Sequence, residues 1–395
     1  MPVNLVDIQK KLGNFSRQAR ARKEQIADQH QEAANLMREY ADRLDDLRDR
    51  VDLVAEVYPR LRCAVPVSES LNAVVPSPEP PKTLTLLAAD GSQINPSRHA
   101  RVEFCVINIG VVKMVRGSGD VPCIYTQSHL LDYDSVFLPG GGMISEGMVA
   151  LKRDLREREA LLKLLGNIDP PALSMTDGPL ELYREPQATQ EFSKTLDHYL
   201  DVLGCLRNQG LMTLGYVDKP GGGLIGRLLE LVRLSDVELH NYQQRKRRYA
   251  GVHDTLLFGD LLCNPGDRSA VFRIYSQTAL KFTGDIGLHF FYLNVGQIGK
   301  PHLARVEIPA WVARDKTLVG FVQAVLVEQA QILGSRPYPY LLHRAHEEAL
   351  VSIPEHQHVE DMIVTELERQ GIPVDEKSYK QYHKDLPTTK TRYHR

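Results

Sequence analysis

The chain has no uncharged apolar run approaching the roughly 18 residues of a membrane-spanning helix. Its N-terminal stretch, MPVNLVDIQKKLGNFSRQARARKEQ, holds no apolar core between its charges, so no signal peptide or membrane association is expected and a cytoplasmic location is. Cysteine is scarce and scattered. Cys63, Cys105, Cys123, Cys205 and Cys263 are odd in number and form no C-x-x-C pair, which argues against a disulfide framework and a cysteine zinc site. Charge of one sign is missing too: lysine plus arginine number 48 and aspartate plus glutamate 50, for a net charge of -2. A nucleic acid would have to be held by a local patch or with a partner's help, not by the field of the whole molecule. There is no G-x-S-x-G nucleophile elbow, and the glycines Gly221, Gly223 and Gly226 are not followed by the Lys-Ser/Thr of a P-loop. Those glycines do spell G-x-G-x-x-G. Yet Asp218, Lys219 and Pro220 separate them from the preceding strand, and no clear acidic residue ends a following strand, so a dinucleotide site is set aside.

What is present begins with helix. Residues 17–60 lack glycine and, until Pro59, proline, and are dense in good helix formers. Met37, Tyr40, Leu44, Leu47, Val51 and Val54 recur at alternating three- and four-residue steps, a heptad seam that needs a partner, either the body of the same chain or a second subunit. PVSESLNAVVPSPEPPK cannot continue a helix and reads as a linker. The expected organisation is a helical, coiled-coil region over 1–63, a Pro-rich linker over 64–82, an α/β domain over 83–372 and a polar tail over 373–395.

From residue 83 short apolar runs are punctuated by glycine and proline. TLTLLAAD (83–90), RVEFCVINIGVVKMV (101–115) and VPCIYTQSHLLDY (121–133) read as three consecutive strands. A helix over 145–166, a strand over 172–177, a helix over 188–208, a strand over 211–218 and a helix over 224–234 follow. Three more apolar segments, FRIYSQTALKF, IGLHFFYLNV and HLARVEIPAWV, read as strands, and helices are expected near 317–333, 338–350 and 355–370. Strands first, then strands alternating with helices, predict a mixed sheet flanked by helices, an order that resembles the ribonuclease H-like fold.

Asp90 closes the first apolar run before Gly91 and Ser92, and Asp177 closes ALSMTD before Gly178. Each carboxylate is expected at the C-terminal edge of its strand, where ligands gather, with the glycine turning the chain away. On neighbouring strands the two would repel unless they shared a proton or a divalent cation, and hard oxygen ligands suit Mg²⁺ or Mn²⁺. A third carboxylate is expected from Arg153, Asp154, Arg156, Glu157, Arg158 and Glu159. If Leu151, Leu155 and Leu162 mark the inward face, Glu159 lies on it and Glu157 points roughly opposite. A plain turn at each D-G and a solvated charge run on the helix are the alternatives.

AADGSQI with His99 following, TDGPL, GYVDKP, D-x-x-L-F ending in GDRS, ARVEIPAWV and YPYLLHRAH occur in this order over roughly residues 83–350, and the set resembles the NurA family of nucleases. The resemblance implies a Mn²⁺-dependent DNA nuclease, 5′–3′ exonuclease and single-strand endonuclease, acting in DNA end resection as a homodimer with a HerA-type hexameric ATPase. By motif it implies Asp90, Glu159 and Asp177 as metal carboxylates, with Glu157 left open beside Glu159, and His346 as ligand or general base. It also implies Tyr216 and Lys219 near the scissile phosphate and Arg268 on the DNA backbone; Asp218 adds a carboxylate without an assigned role. Two ions about 4 Å apart would serve an in-line displacement.

The run Arg245, Lys246, Arg247 and Arg248, flanked by Tyr242 and Tyr249, offers charge for phosphates and rings for bases, or else is a solvated loop. Two rivals remain. One is a non-catalytic scaffold that dimerises and binds an ATPase; the other is an RNA-directed nuclease of the same fold, which motifs do not separate from a DNA enzyme.

Overall fold

Chain segments of β-branched and aromatic residues form strands, and those with apolar residues three and four apart form helices. The computed structural model describes residues 4–138, 142–164, 168, 171–182, 190–242 and 247–374. In chain order the elements are α1 (Leu5–Glu39), α2 (Leu44–Val57), β1 (Cys63–Pro66), β2 (Leu84–Ile94), β3 (Val106–Arg116), β4 (Cys123–Leu130), α3 (Tyr133–Val136), β5 (Phe137–Leu138), β6 (Gly142–Met143), α4 (Glu146–Lys163), β7 (Ala172–Asp177) and α5 (Gln190–Asn208). They continue with β8 (Met212–Val217), α6 (Leu224–Val232), α7 (Asp236–His240), α8 (Asp254–Gly259), β9 (Phe272–Tyr275), β10 (Leu288–Asn294), β11 (Leu303–Pro309), α9 (Ala310–Ala313), α10 (Lys316–Ile332), α11 (Tyr340–Ala349) and α12 (Ile353–Arg369). No described helix is long and apolar enough to cross a membrane. The polar tail lies almost wholly outside the described residues.

These elements group into two compact units, 1–82 with 177–181 and 212–340, and 83–176 with 182–211 and 341–395. In the first, strands run in the order β1-β9-β10-β11-β8, each antiparallel to the next. Strands β10 and β11 are buried along their whole length, as strands covered on both faces must be. In the second, the order is β7-β2-β3-β4: β2, β3 and β4 form an antiparallel meander and β7 lies parallel to β2. A parallel neighbour needs a crossover, and α4 lies in that crossover, packing on β2, β3 and α5. The mixed sheet flanked by helices, with an N-terminal helical extension, is thus present.

Several expectations are corrected in detail. The heptad seam breaks at Tyr40, and α2 packs on α6, α7 and β1 of its own chain. Met37, Leu47, Val51 and Val54 are buried there. The boundary expected after residue 63 falls inside β1, which pairs with β9, and Val75 of the expected linker forms a β-bridge with Arg268. FRIYSQTALKF is a strand only to Tyr275, after which the chain turns into a short 3-10 helix. Asp90 does not end its strand: β2 runs on through Gly91 and Ser92 to Ile94.

Candidate active site

The second unit builds one carboxylate cluster, and each letter of D-G-S has a separate job in it. Asp90 sits opposite Gly110 in the β2/β3 register. A Cβ on Gly110 would lie 2.5 Å from the Ala345 carbonyl oxygen and 2.7 Å from the Ala349 nitrogen, so α11 lies directly on β3 at that point. Ser92 and Asn108 both donate to the Ala349 carbonyl, the latter at 2.9 Å, and fix the end of α11. One turn back along α11, His346 Nδ1 reaches Asp90 Oδ2 at 2.6 Å. Gly91 makes room on the other side. A Cβ there would meet Arg153 Cγ at 2.6 Å and Ile109 Cδ1 at 2.8 Å; this glycine is present for space and not for a turn.

The Arg153 that crosses Gly91 is one cation of the cluster, and Arg158 is another. Arg153 donates to Asp154 at 3.1 Å, and its Nε lies 3.5 Å from Glu157. Burial opposes its charge, but Asp154, Glu157 and Asp90 outweigh that and raise its pKa. Glu157 is only 4% exposed. Burial pushes its carboxyl well above the usual carboxylate range, the negative charges of Asp154 and Asp90 push it further, and Arg153 pulls it back. Arg158, also buried, donates to Thr176, the last β7 residue paired with β2.

The expected face of α4 is therefore corrected. Met148, Leu151, Leu155, Glu157, Arg158 and Leu161 are buried, whereas Glu159 pairs with Arg156 at 2.6 Å and His198 at 3.3 Å. The buried stripe accepts charged residues because they are paired, a thing that apolar periodicity does not register.

In the first unit Asp177 does end its strand, and Gly178 turns the chain with φ +91°. The hydroxyl of Tyr216 is buried and finds no hydrogen-bond partner among the described residues. Burial raises its pKa, and the charges of Asp218 and Asp177 raise it further. Asp218 accepts from His302 Nε2 at 2.6 Å. Lys219 is exposed and is the one described non-glycine residue at positive φ, +45°. The glycine-rich stretch that follows is occupied from within. Asp254 accepts from the backbone N–H groups of Leu224, Ile225 and Gly226 at 2.7–3.1 Å, where a phosphate would otherwise bind the start of α6.

Of the basic residues expected on DNA, Arg268 is placed otherwise, while Arg247 and Arg248 are exposed. Arg268 is buried and holds Glu69 through two 2.9 Å bonds. Arg248 pairs with Glu32 at 2.8 Å. Arg247 lines a cavity of about 300 Å³ with Glu230, Arg233 and Tyr242. Arg245 lies outside the described residues. Tyr242 and Tyr249 are buried and present no ring for a base. Missed in the sequence were Arg153, His302 and the strand pair Arg305 and Glu307. Charged residues two apart in the apolar run ARVEIP put both on one face of a buried strand, and that signal was readable.

Among the described residues, no three His, Cys, Asp or Glu side chains converge closely enough to hold a metal ion as they stand. The donor chemistry nevertheless fits one. Asp90 and Glu157 supply hard oxygens and His346 a nitrogen.

No curated protein matches the chain. Among solved structures it is similar to the NurA nuclease from Sulfolobus solfataricus, with 13% identity over 90% of this chain and 98% of that one and a TM-score of 0.45. It is also similar to the catalytic domain of human endonuclease V, with 15% identity over 82% and 96% and a TM-score of 0.33. A third match is LC9-RNase H1, with 9% identity over 45% and 88% and a TM-score of 0.22. Residues 84–351 match the model of the NurA domain; that is more than half of the chain, and the chain belongs to the NurA family.

Proposed function

We propose that the chain is a Mn²⁺-dependent nuclease that cuts DNA from 5′ ends and within single strands. The observation that carries this reading is Glu157: a buried carboxyl whose charge burial, Asp154 and Asp90 all oppose, although Arg153 and Arg158 lie near it, is costly to the fold and suits a divalent cation. Asp90, Glu157 and His346 would hold the metal, with Mg²⁺ as the other candidate and two ions as the family pattern implies. When bound, the ions supply an activated water and offset charge on the leaving oxygen.

The chain's own groups have definite parts. With Nδ1 turned to Asp90, His346 keeps the lone pair of Nε2 for the metal or, in place of that, for service as a general base. Lys219, exposed and held in a rarely adopted conformation, is available to a phosphate. Asp177 is the family pattern's remaining carboxylate. Partnership with a HerA-type ATPase, a homodimeric state and a place in DNA end resection complete the reading, and all three rest on family membership.

The deciding experiment is cleavage of end-labelled linear and single-stranded DNA, and of RNA, with Mn²⁺, Mg²⁺ or EDTA, beside Asp90→Ala and Asp177→Ala. Metal-dependent cutting of DNA that both variants lose is the expected result. Preference for RNA would replace the substrate. No cutting under any condition, even with the ATPase present, would return the scaffold reading.

A further inference from the structure

The segment that follows Asp177 is held by a device that the proposed chemistry does not itself require. Gly178 N–H donates to the Tyr216 carbonyl at 2.7 Å. Beneath it lies Gly215, where a Cβ would come within 2.6 Å of the Gly178 oxygen and 2.8 Å of the Leu180 nitrogen. The segment therefore lies flat on β8, touching backbone. In the β8/β11 register Gly215 stands opposite Glu307. A glycine at that position leaves the Glu307 side chain free to cross β8 and reach the segment.

Glu307 is fully buried, and its two oxygens do different work. Oε2 accepts from the backbone N–H groups of Leu180 at 2.9 Å and Glu181 at 3.3 Å. Oε1 accepts from Arg305 Nε at 2.9 Å and lies 2.8 Å from its Nη2. Arg305 is itself buried, and the carboxylate keeps its pKa high against the cost of burial. The far end of the segment is fixed by Glu181, which pairs with Arg62 at 2.5 Å and accepts from Ser276.

Stability alone does not explain this pair. Buried ion pairs are often replaced by apolar residues at no cost to the fold. What apolar residues would fail to supply is an acceptor for two successive amides converging on one point, an anion nest in the backbone. We propose that Glu307 is a positioning residue: by holding the amides of Leu180 and Glu181 it sets the path of residues 178–181 and so the aim of Asp177. Arg305, bonded to the other oxygen, holds the Glu307 carboxyl in place for that purpose. The inference rests on the reading of Asp177 as an active-site carboxylate.

Its test compares Glu307→Gln with wild type, Asp177→Ala and, as a second way to displace the same segment, Gly215→Ala. Three quantities are read: kcat and KM for single-stranded DNA cleavage, Mn²⁺ binding by electron paramagnetic resonance of the free ion, and thermal melting. Positioning predicts that kcat falls by about a hundredfold, the scale for misplacing a reacting group by an ångström. KM for DNA should stay near wild type. Mn²⁺ affinity should fall by about 10–100-fold, as when a group that orients a metal ligand is removed. Wild-type kcat and Mn²⁺ affinity in a folded Glu307→Gln protein would overturn the proposal. Should Glu307→Gln fail to fold, Gly215→Ala decides by the same split. Full cleavage by Asp177→Ala would instead sink the reading on which the inference rests, whatever Glu307→Gln does.

Discussion

Arg153→Gln isolates the electrostatic argument for a metal. The arginine lies 3.1 Å from Asp154 and 3.5 Å from Glu157, and the charge of Asp90 acts on it as well. Removing one partner of a buried ion pair costs about 3–5 kcal/mol. The Arg153 side chain is 25% exposed, and Glu157 can shed its charge by taking a proton, so the expected loss is near the lower end, about 3 kcal/mol without metal. Mn²⁺ acts in the other direction. Binding to the folded state adds about 2.7 kcal/mol when the free ion is about a hundred times its Kd. In the variant the ion meets the carboxylates without the competing Arg153 guanidinium, so its stabilising effect should exceed that on wild type. Denaturant titrations of both proteins in EDTA and in excess Mn²⁺ measure the four values needed. The reasoning fails if the variant is as stable as wild type in EDTA, or if Mn²⁺ stabilises it no more than it does wild type.

Glu157→Gln should abolish cleavage while Glu159→Gln leaves it near wild type, because only Glu157 shares the interior with Asp90; a cleavage assay on the two variants reads this directly, and the opposite result would restore the original choice of face. Tyr216→Phe removes a buried hydroxyl with no partner among the described residues; melting should be unchanged or raised by up to about 1 kcal/mol while cleavage falls, and a marked loss of stability would show that the hydroxyl is structural. Burial pushes the Cys63 thiol from 9.0 up to about 12, so its thiolate fraction near neutral pH is about a thousandfold smaller than in the unfolded chain. A thiol reagent should therefore label the exposed Cys123, Cys205 and Cys263 well before Cys63. Because this pKa is raised on folding, the linked stability is full below pH 9.0 and is lost as pH climbs toward about 12.

Much of the fold was readable because strands and helices here carry ordinary apolar patterns. The strand 172–177 and the helices beginning near 146, 224, 316 and 353 emerge within two residues of expectation or better. Trouble came wherever charge was buried. Leu151 and Leu155 marked the inward side of α4 correctly, but Glu157 and Arg158 lie inward with them, and a rule that sends charged residues outward misassigns that face. Arg268 failed in the reverse sense: an arginine in a loop-like motif looks available to phosphate until Glu69, about 200 positions earlier in the chain, turns out to hold it. Such long-range pairs leave no local trace in sequence. The two D-G steps show the same limit. Gly178 adopts positive φ and turns the chain, whereas Gly91 stays in a strand and makes room for a side chain; the dipeptide does not distinguish them.

A common construction nevertheless runs through both units. Asp90 faces Gly110 across β2 and β3, and α11 settles on that glycine and brings His346 to the carboxylate. Glu307 faces Gly215 across β11 and β8, and the segment after Asp177 settles on that glycine and meets the Glu307 carboxylate. In each case a strand gives up one side chain so that backbone from a distant part of the chain can come within contact distance of a charged group. Backbone cannot yield as a flexible side chain can, so the approach leaves little freedom of position. Glu157, buried beside Asp90 and Asp154, has two ways to relieve its charge, to take a proton or to share a cation, and the comparison of Arg153→Gln with wild type in EDTA and in Mn²⁺ tells them apart.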